Sequence, residues 1–179
     1  MKILKIEKPG RFLKNKTELE KELNVSMSVK KDLIQISGAG TNEYVAEKII
    51  EAIDYGFSLK DAYLLKDHEY TIQKINIKDI TKKHNLKLIR ARIIGKEGKS
   101  LRTITNLADC VAKLINNTIM LIGRVDEIEN ALQAFISLIN GAKHSKVYSR
   151  LERMKSKKKA KEDEDIQFVE DYKKYFQES

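Results

Sequence analysis

An internal repeat limits the folds open to this chain more than any other feature. Sliding the 179-residue sequence on itself by 85 positions sets Gly10 on Gly95, Leu19 on Ile104, Leu23 on Ala108, Val25 on Cys110, Ile34 on Ile119, Ile36 on Leu121, Gly38 on Gly123, Ala46 on Ala131, Ile50 on Phe135, Ile53 on Leu138 and Gly56 on Gly141. A register that runs without a gap through apolar positions of different period, with glycine matched to glycine, marks two copies of one small domain.

The second copy shows the order of elements most clearly. Residues 86–93, LKLIRARI, alternate Leu86, Leu88, Arg90 and Arg92 with Lys87, Ile89, Ala91 and Ile93, which predicts a strand. A glycine turn follows, and then a helical stripe of Leu101, Ile104, Leu107 and Ala108. The runs CVAKLI and TIMLIG flank Asn116-Asn117, a pair suited to the left-handed conformations of a tight hairpin. Val125, Ile128, Leu132, Phe135 and Ile139 mark a last helix that opens on Asp126 and Glu127 and stops at Gly141.

The first copy repeats this order with MKILKIE, a helix through Leu19 and Leu23, NVSMSV, LIQISG and a helix over residues 42–55. Between the copies, FSLKDAYLLKD opens on Ser58 and Asp61 in capping-box spacing, YTIQKINI predicts a strand, and DITKKHN predicts a short helix or turn. Beyond Gly141, VYSRLERMK is helical in pattern, KSKKKAKEDED is a solvated charge run, and Ile166, Phe168, Val169, Tyr172 and Phe176 space a short amphipathic helix. The chain divides into a first copy at 1–57, a connecting segment at 58–85, a second copy at 86–152 and a charged tail at 153–179, an α+β organisation of two packed units.

Composition narrows the function. With 41% apolar residues the chain can bury a core. No stretch approaches the roughly 18 uncharged apolar residues of a membrane span, and MKILKIEKPGR lacks the apolar run of a signal peptide, so a cytoplasmic protein with no membrane partner is expected. The single Cys110 gives no disulfide framework, and its alignment with Val25 predicts a packing role. His68, His84 and His144 have no metal-ligand spacing, so neither metal nor cofactor is expected. The net charge of +9 is concentrated: residues 81–150 hold 13 Lys/Arg against 5 Asp/Glu, while residues 1–80 hold 14 against 13 and residues 151–179 hold 8 against 8. A field confined to one small domain points to a polyanionic partner.

At the centre of that field lies RIIGKEGKSLRT, residues 92–103, for which three readings compete. A nucleotide-binding P-loop is suggested by Gly98-Lys99-Ser100, but the glycine it requires five residues earlier is Ile93. A merely solvated basic turn is the second reading. The third, a clamp for a nucleic-acid backbone, accounts for more residues. Where two helices meet through Gly95-Lys96-Glu97-Gly98, missing Cβ atoms let phosphates approach the main chain, and the N–H groups opening the next helix favour an anion. Lys96, Lys99 and Arg102 add positive charge, with Arg90, Arg92 and Ser100 nearby. An apolar groove lined by Ile93, Ile94 and Leu101 on one side and the 110–114 strand on the other would accept unstacked bases, so single-stranded RNA or DNA is the expected ligand. Ile93, Ile94, Leu101 and Ile104 also fit a core, Ile104 best of the four. In the first copy Leu13 stands where Gly98 stands in the second, so only the second copy keeps the turn intact.

RIIGKEGKS resembles the signature of eukaryotic-type KH domains, whose element order is βααββα. More narrowly, the degenerate first copy, the linker GFSLKDAYLLKD, the phrase RARIIGKEGKSLRTI and the segment NGAKHSKVYSRLERMK resemble the Partner of Nob One, or Dim-two-like, family of two-KH-domain ribosome-assembly proteins over residues 1–155. The resemblance implies a non-enzymatic factor that binds single-stranded ribosomal RNA near the small-subunit 3′ end through the second KH copy. It further implies work beside the endonuclease that trims that end, and a link to the alpha subunit of initiation factor two. Gly95, Lys96, Glu97, Gly98, Lys99 and Ser100 are then the RNA-contacting turn, and Gly141, His144, Val147, Tyr148, Leu151 and Glu152 match the family's segment after the last helix. Asp109 stands where the family has a glycine and Lys143 where it has a proline; aspartate tolerates the left-handed conformation such a glycine adopts. The competing function is a protein scaffold with no RNA contact.

Overall fold

A computed structural model describes the backbone of residues 1–177 and the side chains of residues 1–169. The first copy runs β1 (Lys2–Lys5), α1 (Pro9–Leu13), α2 (Lys16–Leu23), β2 (Val25–Lys30), β3 (Leu33–Gly38) and α3 (Gly40–Tyr55). A short α4 (Leu59–Ala62) and a 3-10 turn connect to β4 (Tyr70–Asn76), α5 (Ile77–Ile80), α6 (Leu86–Ile94), α7 (Lys99–Ala108), β5 (Val111–Ile115), β6 (Thr118–Arg124), α8 (Val125–Ile139) and α9 (His144–Gln177). Each copy builds a three-stranded antiparallel sheet, in the orders β1-β3-β2 and β4-β6-β5.

The repeat register holds from the turn onward. Asn24 and Asp109 end α2 and α7 in the left-handed conformation, with φ of 50° and 56°. A Cβ on Gly38 would come 2.9 Å from Val25 Cγ1, and one on Gly123 would come 2.9 Å from Cys110 Cβ, so the same close approach of neighbouring strands demands glycine in both copies.

Before the turn the register breaks. Leu4 pairs with Ile34, and Ile75 pairs with Ile119, which is the repeat mate of Ile34. Leu4 and Ile75 are therefore structural mates, although the repeat spacing that matches Ile34 to Ile119 would have set Leu4 on Ile89. Between its first strand and its glycine turn, the second copy carries an insertion that the first lacks.

Three expectations are corrected here. The stretch 86–93 is helical, not a strand: Asn85 Oδ1 accepts a hydrogen bond from Leu88 N at 3.1 Å, and Ile89 and Ile93, one helical turn apart, share the buried face. Its Leu, Lys, Arg and Ala residues favour a helix, and the strand position beside β6 is already filled along its length by β4. The strand 70–76 thus belongs to the second sheet, so the second copy begins there and not at 86, and the connecting segment is correspondingly shorter than 58–85. In the first copy, α1 is only five residues long, opened by Pro9 and anchored by buried Phe12. The charge run after residue 155 is exposed as expected, but it and the helix expected beyond it continue α9 without interruption; the side chains of Tyr172, Tyr175 and Phe176 lie outside the described residues.

Strand β6 is buried on both faces, which is why TIMLIG is an unbroken apolar run. Ile119 and Leu121 face the second copy's helices, among Ile93, Ile104, Ile128, Phe135 and Leu138. Met120 and Ile122 enter the first copy's core, with Ile34, Ile49, Ile50 and Ile53, and the cross-strand row Ile72–Ile122–Val111 lies on that face. Tyr55 of α3 donates its hydroxyl to the carbonyls of Ile115 and Thr118, and Glu51 pairs with Lys74 at 2.5 Å. The two copies therefore share one sheet as a common wall. No helix among the described residues is long and apolar enough to cross a membrane.

Met120→Ala, a change in the second copy, is expected to destabilise both copies in a single urea transition, by the ~2–5 kcal/mol typical of such core truncations. Two separate transitions, with the first copy's unaffected, would contradict the shared wall. Burial beside Asp109 and Glu127 pushes the Cys110 thiol up to about 12, so the reactive thiolate is scarce at pH 8. Alkylation by iodoacetamide at that pH is expected only once the protein is unfolded, and rapid labelling of the native protein would disprove the burial.

Candidate nucleic-acid interface

The turn is built by the meeting of α6 and α7. Gly95 ends α6 at φ +72° and ψ −180°, a conformation that favours glycine, and Glu97 and Gly98 lead into α7 in the left-handed region at φ 53° and 76°. The two glycines do different work. A Cβ on Gly95 would stand 2.6 Å from Ser100 Cβ and 2.8 Å from Ser100 N, so this glycine lets the turn close on α7. A Cβ on Gly98 would meet nothing within 4 Å, so the open approach to the main chain is at Gly98 alone.

The start of α7 carries no side-chain cap and no acidic residue in its first turn. Gly98 N and Lys99 N donate within the turn, to the Gly95 and Lys96 carbonyls, and the positive end of the α7 dipole opens on the turn. Lys96, Lys99 and Arg102 are exposed around it. Arg102 donates to the Glu97 carbonyl at 2.7 Å and braces the turn. Among the described residues Lys96 and Lys99 enter no ion pair, which leaves their charge available to an anion. Glu97 is the acidic member of the turn and is exposed. Ser100 is 4% exposed and its Oγ has no hydrogen-bond partner, so it packs beneath the turn and offers no surface contact.

Because 86–94 is a helix, the groove differs from the one expected. Ile93 is fully buried in the second core, and Leu101 is half-buried against that core. Neither lines the groove. The cleft of about 420 Å³ beside the turn is walled by Arg90 and Ile94, one helical turn apart on α6, and by Leu114, Asn116 and Asn117 of the β5–β6 hairpin. Leu114, Asn116 and Asn117 were legible as strand and hairpin but not as groove; an i, i+4 reading of Arg90 and Ile94 would have found the opposite wall. A larger hollow, about 750 Å³, lies under α9, but its rim mixes Lys155, Lys158 and Lys159 with Glu127, Glu152, Glu162 and Asp163 and offers no single sign of charge.

The two arginines of α6 part company. Arg90 Nη1 donates to Asn117 Oδ1 across the cleft. Arg92 turns away from the turn: Nε donates to the Leu138 carbonyl at 3.1 Å, Nη2 to the Ala142 carbonyl, and the Arg92 carbonyl meets His144 Nε2 at 3.0 Å. Arg92 thus satisfies the carbonyls at the end of α8 and locks α6 to the start of α9. Val147 and Leu151 of α9 are buried in the second core, and Lys155 donates to the Asn106 carbonyl at 2.9 Å and to Asp109 at 2.5 Å. The segment 141–152 is in this way part of the second copy's packing.

The P-loop reading loses its context, since a helix and not a strand precedes Gly98-Lys99-Ser100. Among the described residues no group of His, Cys, Asp and Glu is placed to hold a metal ion.

Residues 71–156 match the family described as eukaryotic type KH-domain (KH-domain type I), and the match begins inside β4, where the second sheet begins. A KH domain-containing protein of Methanocaldococcus jannaschii is 33% identical over 149 residues, which cover 79% of this chain and 66% of that one. The pre-rRNA-processing protein PNO1 of Gibberella zeae is 32% identical over 138 residues, or 73% of this chain, and the chain spans 54%, about half, of that fungal relative. Among solved structures, Dim2p from Pyrococcus horikoshii is similar with a TM-score of 0.78 and 27% identity, over 85% of this chain and 98% of that one. A chain in the a/eIF2alpha-aDim2p-rRNA complex from the same organism is similar with a TM-score of 0.78 and 27% identity, over 87% and 94% of the two chains. In sequence and in fold, this chain belongs to the Dim2-like, Partner of Nob One family of KH-domain proteins.

Proposed function

We propose that the chain is a small-subunit ribosome-assembly factor that takes part in pre-rRNA processing by holding single-stranded ribosomal RNA near the 3′ end. The observation that carries the reading is the uncapped N-terminus of α7 behind Gly98, with Lys96, Lys99 and Arg102 exposed around it and the Arg90–Ile94 cleft beside it. Phosphates seat against the open main chain at Gly98 and the positive end of α7, and the adjoining bases lie in a cleft whose Ile94 and Leu114 walls accept unstacked rings. Lys96, Gly98, Lys99 and Arg102 hold the backbone, with Gly95 and Glu97 completing the turn.

Relatives support the same reading. One is named for pre-rRNA processing, and another is a chain from a complex with rRNA and a/eIF2alpha. By analogy the alpha subunit of initiation factor two and the endonuclease that trims the 3′ end are the protein partners, the compartment is the cytoplasm, and the factor itself does no catalysis. The first copy acts as a structural or protein-binding unit: Leu13, 52% exposed, stands at the position of Gly98, and Pro9–Leu13 forms a short helix with no left-handed turn. The working division is a degenerate KH unit over 1–57, a connector from 58 up to β4, an RNA-holding KH unit from 70 to 152, and the charged helix beyond.

Gly98→Asp tests the seat. Aspartate tolerates left-handed backbone better than most residues and meets open space here, so the fold should survive. A carboxylate then occupies the phosphate position. Affinity for a short single-stranded RNA of 3′-end sequence is expected to fall at least tenfold in filter binding, with circular dichroism unchanged; equal affinity would reject the seat. Wild-type affinity is expected to fall with salt at a slope near −0.7 per phosphate neutralised, and a flat response would show that phosphates are not the contact.

A further inference from the structure

The cleft beside the turn holds one cation whose geometry is already set. Arg90 is half-buried between apolar Ile94 and Leu114, and its Nη1 is held by Asn117 Oδ1. Asn117 is itself fixed, because its backbone carbonyl accepts from Ile77 N at 2.8 Å, so the arginine is braced by the hairpin and by the start of α5. With Nη1 committed, the guanidinium keeps the parallel N–H pair of its Nε–Nη2 edge, and that edge makes no hydrogen bond to the protein among the described residues. A planar, pre-oriented pair of donors and no acceptor demands a partner with two adjacent acceptors.

We propose that Arg90, pinned by Asn117, is a base-reading residue that selects a guanine or a cytosine at one position of the bound strand. This rests on the RNA reading above. Guanine offers N7 and O6 side by side, and cytosine offers O2 and N3. Adenine sets a donor amine beside each of its ring acceptors on that face, and uracil interposes N3–H between its two carbonyls, so neither presents the required pair. A base is favoured over a phosphate because Arg90 lies five residues before Gly95, about 7.5 Å back along α6 from the start of the turn at 1.5 Å per residue, and its neighbours Ile94 and Leu114 suit a ring better than a solvated anion.

The test uses the full chain and four short single-stranded RNAs of 3′-end sequence, identical except for A, C, G or U at one position, with that position moved in turn along the oligonucleotide. At one position wild type is expected to bind G or C about 5- to 150-fold more tightly than A and U, the range of one bidentate base contact. Replacing guanine by 7-deazaguanine, which lacks N7, abolishes the preference if guanine is the base read and leaves it if cytosine is. In Arg90→Lys, which keeps the charge without the fork, and in Asn117→Ala, which releases the guanidinium, the four affinities converge; two independent variants guard against misfolding of either. Equal binding of all four RNAs by wild type at every position overturns this inference and leaves the RNA reading standing, whereas no binding to any of them overturns the RNA reading itself. If Arg90→Met lowers all four affinities by one common factor and flattens the salt response, Arg90 is a phosphate contact and the base-reading role is wrong.

Discussion

Burial of β6 on both faces is the constraint on which the rest of the architecture depends. A strand whose odd positions, Ile119 and Leu121, serve one core and whose even positions, Met120 and Ile122, serve the other cannot slip by one residue without emptying both. The first copy is consequently docked on the sheet face opposite the second copy's helices. That leaves α6, the glycine turn and α7 on the free side, so the cationic face of the protein is exposed because of where the first copy sits. Tyr55 and Glu51, reaching from α3 to the β5–β6 hairpin and to Lys74, fasten the arrangement at its polar rim.

The same constraint explains the unequal fates of the two copies. A copy that contributes a docking surface needs its sheet and long helix, which the first copy keeps, and it does not need a free turn between two helices. The first copy lacks the insertion between first strand and turn, and the remnant there, Pro9–Leu13, is anchored by Phe12. In the second copy the inserted stretch supplies most of α6, the helix that carries Arg90 and Ile94 to the cleft wall and Arg92 to the end of α8. One segment thus separates a packing module from the copy that carries the glycine turn and the cleft beside it.

Much of this was legible in the residues and some was not, for local physical reasons. The repeat, the hairpin at Asn116-Asn117, the left-handed Asp109 and the long helix at 125–139 carry short-range signals, and all appear in the structure. The turn and its exposed cations were legible for the same reason. LKLIRARI misled because so short a run fits a period of 2 and a period of 3.6 about equally well. The choice between them is made at a distance, by the strand Tyr70–Asn76, which already occupies the sheet position. That error carried Ile93 into the expected groove, although the helix turns Ile93 into the core and brings Arg90 to the cleft wall; Leu101, read correctly as helical, packs against the second core instead. Arg92 was misplaced because its partners, the Leu138 and Ala142 carbonyls, lie far along the chain and leave no trace in local pattern.

The central claim is that the main chain at Gly98 and the opening of α7 form the seat for a single strand. It is tested most directly by following backbone amide resonances while single-stranded RNA of small-subunit 3′-end sequence is titrated into labelled protein. The account predicts that the largest shifts fall on residues 96–102, with smaller ones on Arg90, Ile94 and 114–117, and that the amides of α1, α2 and α3 stay still. Shifts concentrated on the first copy, or none at saturating RNA, would contradict it.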